Sequence, residues 1–152
     1  MNNQTRSMRA DHVALRVANF AETLSWYKEK LGFREEVMWT VEELPGMQLA
    51  YLERNGFRLE IIGGGGFQPT QTIPASFREA WDIPGYGHLC FEVEDIDAVL
   101  AELEQRGVPT FVPAATYPLS NYWRRVGFVL DNSGNVIEFA ESLATLQPTS
   151  RT

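Results

Sequence analysis

Basic charge, cysteine and histidine are all scarce in this chain of 152 residues. Thirteen lysines and arginines stand against twenty aspartates and glutamates, for a formal charge of −7. A surface that follows a nucleic-acid backbone needs a basic stripe, so no nucleic-acid partner is expected, although a local basic pocket for a small anion is still allowed. The single cysteine, Cys90, excludes an internal disulfide framework and suits a reducing, cytoplasmic compartment. No apolar run approaches the ~20 residues of a membrane span. The opening MNNQTRSMR has no apolar core of the kind a signal peptide carries, and no membrane partner is expected. A serine-centred nucleophile elbow is missing too, which leaves a hydrolase triad without support. What remains, 44% hydrophobic and 22% charged residues, is the composition of an ordinary soluble globular protein.

The two histidines head two similar stretches, Asp11–Asn19 (DHVALRVAN) and Gly87–Asp95 (GHLCFEVED). Each alternates as a strand does: Val13, Leu15 and Val17 take one face, His12, Ala14 and Arg16 the other. Leu89, Phe91 and Val93 likewise oppose His88, Cys90 and Glu92. Each stretch runs into an amphipathic helix. The first has Asn19 as its cap, Glu22 at the capping-box spacing, an apolar stripe of Phe20, Leu24, Tyr27 and Leu31, and Gly32 to stop it. The second has Asp95 as its cap, then Ile96, Val99, Leu100 and Leu103, then Gly107.

Strands are predicted over 33–40, 47–52 and 57–62, the last two joined by the hairpin signal Asn55-Gly56. In the second half they are predicted over 110–115, 122–130 and 135–140, with a turn at 131–134. The four glycines at 63–66 are not followed by a lysine-serine or lysine-threonine pair, so they read as a flexible exit into a connector rather than a phosphate cradle. That connector carries prolines at 69, 74 and 84 and a short helix over 76–81. The result is an α+β chain of two tandem βαβββ units, 9–63 and 86–142, with a connector over 64–85 and flexible tails at 1–8 and 143–152.

The repeat extends to chemistry. His12 and His88 lie 76 positions apart, Glu60 and Glu138 lie 78 apart, and both glutamates sit inside apolar strand sequences, RLEII and NVIEFAE. Such a glutamate is costly to bury unless it is paired or bound to a metal. If the Leu and Ile faces pack on helices, His12, Glu60, His88 and Glu138 share the opposite faces, a nitrogen and oxygen donor set suited to a divalent transition ion. Arg16 and Glu92 share those faces as candidate substrate contacts. Trp123 and one of Arg124 or Arg125 join them, with Arg125 taken as the candidate. Cys90 has the same parity but reads as a small buried residue.

These motifs resemble the vicinal oxygen chelate superfamily, which includes glyoxalase I, bleomycin-resistance proteins, extradiol dioxygenases, fosfomycin-modifying enzymes and methylmalonyl-CoA epimerase. The stretch HVALRVANFAETLSWYKEKLGF at 12–33 is similar to the glyoxalase I opening, and FVLDNSGNVIE at 128–138 to the family's turn before its ligand glutamate. That turn departs from the family pattern at Asn132 and Ser133. The resemblance covers about 9–142 and implies a single glyoxalase-like domain whose curved mixed sheet forms a concave metal-binding cleft. It implies one divalent metal per site (Zn, Ni, Co, Fe or Mn) on His12, Glu60, His88 and Glu138. It also implies a lyase or isomerase working through an enediolate, with Glu138 as the first base and Glu60 opposite it. Arg16 matches an arginine that holds a substrate carboxylate. A homodimer is the expected assembly, acting on a small molecule that carries a carboxylate. Extradiol-type dioxygenase and non-catalytic, resistance-type binding protein are the alternatives.

Overall fold

The computed structural model describes residues 9–66, 73–82, 84–119 and 122–145. The tail residues 1–8 and 146–152, and 67–72 of the connector, lie outside the described residues. The chain divides into two compact units, at Met1–Pro69 and Thr70–Thr152.

In the first unit the order is β1 (His12–Val17), α1 (Phe20–Leu31), β2 (Arg34–Thr40), β3 (Met47–Arg54) and β4 (Phe57–Gly64). Its four-stranded sheet runs β1-β4-β3-β2, with β1 parallel to β4 and the other pairs antiparallel. In this sheet the parallel pair, β1 with β4, is separated in the chain by α1, β2 and β3, because a parallel pairing needs a long crossover and a hairpin does not. Asn19 starts α1 by accepting from the Glu22 backbone N–H, and Gly32 ends it at φ 67°, a left-handed cap. The stripe Phe20, Leu24, Tyr27 and Leu31 is buried, together with Leu59 and Ile61 of β4. Each such side chain contributes roughly 1.5–3 kcal/mol of burial. Asn55 and Gly56 close the β3–β4 hairpin with φ of 51° and 81°, the two positive angles of a type I′ turn.

The glycine run proves to be half strand rather than a flexible exit. Gly63 lies in β4, paired with Val17 and Gln48, and a Cβ there would stand 2.9 Å from Phe20 Cβ. The missing side chain is what lets α1 start directly against the sheet.

The second unit repeats the plan after a connector helix. The order is α2 (Phe77–Trp81), β5 (Leu89–Glu92), α3 (Ile96–Gln105), β6 (Thr110–Leu119), β7 (Tyr122–Leu130) and β8 (Val136–Thr145). The sheet runs β5-β8-β7-β6, again with one parallel pair, β5 with β8. Ile96, Leu100, Leu103, Val129, Ile137 and Phe139 form its core. Gly127 leaves room on β7 for Leu100 of α3, whose Cδ1 would lie 3.1 Å from a Cβ. Three boundaries differ clearly from expectation, one of them the end of β6, which runs to Leu119 rather than stopping at 115. His88 precedes β5 rather than opening it, and β8 continues to Thr145, kept in the sheet by pairing with β7 along its length. Both units are βαβββ, so the chain is α+β with two mixed four-stranded sheets. Among the described residues no helix is long and apolar enough to cross a membrane.

Candidate functional site: two histidine–glutamate pairs

Each unit buries its aliphatic strand residues against its helix and turns a histidine and a glutamate to the other face. In the first unit β1 and β4 run in parallel register with His12 opposite Arg58 and Ala14 opposite Glu60. His12, Arg16, Arg58 and Glu60 therefore share a face, opposite buried Leu59 and Ile61. His12 Nε2 lies 3.4 Å from Glu60 Oε2, and Glu60 as a residue is only 9% exposed. The other ring nitrogen, Nδ1, is 2.8 Å from Asp11 Oδ2. A carboxylate can only accept, so Nδ1 is the donor to Asp11; in the neutral ring this leaves the Nε2 lone pair on the side where Glu60 presents an oxygen. In that form two acceptors face one point, an arrangement that a cation between them would satisfy. A spacing of 3.4 Å also fits two ligands of one ion, each bonded at about 2.1 Å.

Behind His12 stands a network that sequence reading missed. Arg58 donates to both oxygens of Glu36 (2.8 and 2.9 Å) and to Asp11 (3.3 Å), and it lies 4.9 Å above the Tyr51 ring. Tyr51 also meets His12 and Trp39, with centroids 5.2 and 4.7 Å apart. The hydrogen bond from His12, followed by the charge of Arg58, holds the Asp11 carboxyl below the usual carboxylate range. The hydrogen bonds to Glu36 hold the Arg58 guanidinium still more firmly protonated. Asp11 is thus ionised and placed to orient the imidazole, the support a metal-ligating histidine commonly has. The available signal was strand parity: Arg58, two residues before Glu60, has to share its face.

In the second unit Cys90 pairs in register with Glu138. His88 Nε2 lies 2.7 Å from Glu138 Oε2, and the ring stands edge-on to Phe128 at 6.0 Å. The Glu138 side chain is 14% exposed. Cys90 is not the buried residue expected from sequence: it is exposed, with its sulfur 3.8 Å from Arg124 Nη2. Desolvation of its thiol, and then the Glu138 charge, push its pKa up, which makes it a poor nucleophile.

The two arginines separate. Arg124 shares the face of Cys90, while Arg125 turns to the helix side and donates to both oxygens of Asp97 on α3, at 2.6 and 2.9 Å. The arginine beside Cys90 and Glu138 is therefore Arg124 rather than Arg125. Trp123 falls where the β7–β8 register shifts, between Tyr122 and Arg124. Glu92 is exposed and stands opposite Ala140. Arg16 is exposed and stands opposite Ile62. Each unit thus brings together one histidine and one glutamate. Among the described residues no group of three or more His, Cys, Asp or Glu side chains converges to hold a metal.

Several solved structures share the architecture. A glyoxalase family protein from Enterococcus faecalis is 27% identical, with a TM-score of 0.70 over 88% of this chain and 97% of that one. A glyoxalase family protein from Bacillus cereus has a TM-score of 0.71 at 22% identity, covering 95% of this chain and 100% of that one. The trypanothione-dependent glyoxalase I of Leishmania major has a TM-score of 0.63 at 24% identity, covering 89% and 87%. The last two likenesses are ones of fold. A search of curated proteins finds no match. The family model of the Glyoxalase/Bleomycin resistance protein/Dioxygenase superfamily matches residues 9–139, across both βαβββ units with their histidines and glutamates, and the chain belongs to that superfamily.

Proposed function

We propose that the protein is a metal-dependent lyase or isomerase of the glyoxalase I type, acting on a small α-oxygenated carbonyl compound. The observation that carries this reading is the repeated pair: His12 Nε2 with Glu60 and His88 Nε2 with Glu138, at 3.4 and 2.7 Å, at matching places of two units of the same βαβββ plan. In this reading the two pairs jointly hold one divalent ion, within a chain or across a homodimer. Two neutral imidazoles and two carboxylates suit Zn, Ni, Co, Fe or Mn. A divalent ion held there supplies Lewis acidity to two adjacent substrate oxygens.

The chain's own groups supply the rest. Glu138 takes the proton from the carbon next to the carbonyl, and the proton is returned to the neighbouring carbon. No electron leaves the substrate, so no oxidant is needed. Glu60 faces the reaction from the other pair. Arg16, exposed and without a hydrogen bond or ion pair among the described residues, meets a substrate carboxylate through a charge-assisted contact. Glu92 and Arg124 line the same side in this reading.

A second carboxylate is what separates this chemistry from extradiol dioxygenation, where Fe(II) held by two histidines and one carboxylate keeps room for dioxygen. The test pairs elemental analysis with two assays. Protein purified without added metal should carry about one divalent ion per four-ligand set, and His88→Ala should lose it while remaining folded. Zn- or Ni-loaded protein should turn over hemithioacetals of 2-oxoaldehydes under anaerobic conditions. Oxygen uptake with catechols by the Fe(II)-loaded protein, and no hemithioacetal turnover, would replace the lyase reading. Failure of both assays with a bound ligand would favour a sequestering protein.

A further inference from the structure

Residues 73–82 of the connector pack against the site face of the second sheet. Ser76 and Glu79 cap α2 at its start: Ser76 Oγ accepts from the Glu79 N–H at 3.3 Å, and Glu79 Oε2 accepts from the Ala75 N–H at 2.9 Å. Phe77 lies against Phe128 with centroids 4.8 Å apart, and Phe128 in turn meets the His88 ring. Ile73 packs on Gly134, where a Cβ would stand 2.8 Å from Ile73 Cγ1. That turn is fixed by Asp131, whose Oδ1 accepts from the backbone N–H groups of Ser133 and Asn135, both at 2.8 Å.

Under α2 these contacts leave an open cavity of about 240 Å³, lined by Phe77, Ala80, Trp81, Pro84, His88 and Val136. Its one titratable side chain is His88. An apolar cavity of roughly 150 Å³ is enough to take up a benzene ring. Phe77 and Trp81 stand edge to face at 5.7 Å and offer aromatic faces and edges on which a third ring can pack. Trp81 is 66% exposed, an apolar cost that a ligand would relieve by covering it.

We infer that this cavity is a subsite for an aromatic substituent of the substrate, placed beside the reacting carbons because His88 is both its wall and a proposed ligand. The assignment rests on the lyase reading for what reacts, and on the cavity alone for what binds. It makes the preferred substrate an aryl-substituted oxoaldehyde adduct rather than a methyl-substituted one, and it makes α2 the element that sets specificity.

Two measurements on the full chain separate this inference from the lyase reading. Benzyl alcohol, a neutral aryl probe, is titrated into the metal-free protein and followed by NMR. Shifts should cluster at Ala80, His88 and Val136, and Ala80→Trp, which fills the cavity, should abolish them. Val136→Phe narrows the same cavity from the sheet side and should weaken binding even if the first variant does not fold. Separately, kcat/KM is compared for the phenylglyoxal and methylglyoxal adducts of one thiol. The aryl adduct should be favoured on the order of tenfold or more, and Ala80→Trp should bring the ratio near one. If neither adduct turns over, the lyase reading fails and the probe titration still decides: clustered shifts support the subsite, and their absence overturns it. Turnover of both adducts at equal efficiency overturns the subsite whatever the probe does.

Discussion

His12 opens β1 and His88 directly precedes β5, each facing a glutamate on the strand that pairs in parallel, yet their surroundings differ on every other side. His12 is braced. Its Nδ1 is tied to Asp11, Asp11 is tied to Arg58, and Arg58 is fixed by Glu36 and covered by Tyr51. His88 follows a glycine, and among the described residues no carboxylate stands at its Nδ1. Its neighbours are Phe128 and the apolar cavity under α2. The two units thus share the histidine–glutamate pair and differ in what supports it. In the proposed function the first pair holds its donor atom in one orientation, and the second stands beside the space where the substrate binds.

The sharpest test of that division is to remove one carboxylate's basicity at a time. Glu138→Gln should cost about 10²–10⁴ in kcat with little change in KM, because an amide can still ligate weakly but cannot take a proton. Glu60→Gln should cost less. Equal losses, measured on the same hemithioacetal, would mean that the two halves share the proton transfer and that the asymmetry of their surroundings does not reach the chemistry.

A smaller effect probes the brace. Asp11→Asn should weaken metal binding about 10–100-fold, the usual cost of losing a carboxylate behind a ligating histidine. Competition with a chelator measures it. An unchanged dissociation constant would make Asp11 a surface charge and erase the distinction between the units.

The smallest effect is in pH. Asp11 has its pKa depressed in the folded protein, so what it adds to stability is present above the ordinary carboxylate range and fades as pH falls through the lowered value. Because it is solvent-exposed, the slope is shallow. Urea midpoints taken through the acid range should lose this component in Asp11→Asn, and an identical profile would show that the His12 contact adds nothing to the fold.

How much of this could be read from residue order depends on the range of the interaction. Alternation along a strand is local, so the side of the sheet taken by His12, Glu60, Cys90 and Glu138 was legible, as were the caps Asn19 and Asp95 and the turn at Asn55-Gly56. Arg58 was not assigned, because its partners Glu36 and Asp11 reach it only through sheet register. The choice between Arg124 and Arg125 failed for a related reason: the β7–β8 pairing shifts just before them, and adjacent residues exchange faces when the starting phase is unknown. Cys90 was taken as buried because of its residue type, but β5 is an edge strand and leaves that face open. The apolar contacts that seat α2, Phe77 on Phe128 and Ile73 on Gly134, join distant parts of the chain and leave no local pattern.

The order of strands in each sheet also bears on how the chain acquires its ligand pairs during folding. The hairpins β3–β4 and β7–β8 close over short turns, and isolated hairpins form in about 1–10 μs. The ladders that bring histidine to glutamate are different. β1 meets β4 with His12 opposite Arg58, and β5 meets β8 with Leu89 opposite Ile137, so each closes across most of its unit. Such non-local pairings carry the largest loop entropy and are formed late. Because chains emerge N-terminus first, a nascent unit carries its histidine on an uncommitted strand until the glutamate has been synthesised. The donor pairs are therefore marks of completion: neither can exist in a unit whose last strand has yet to dock.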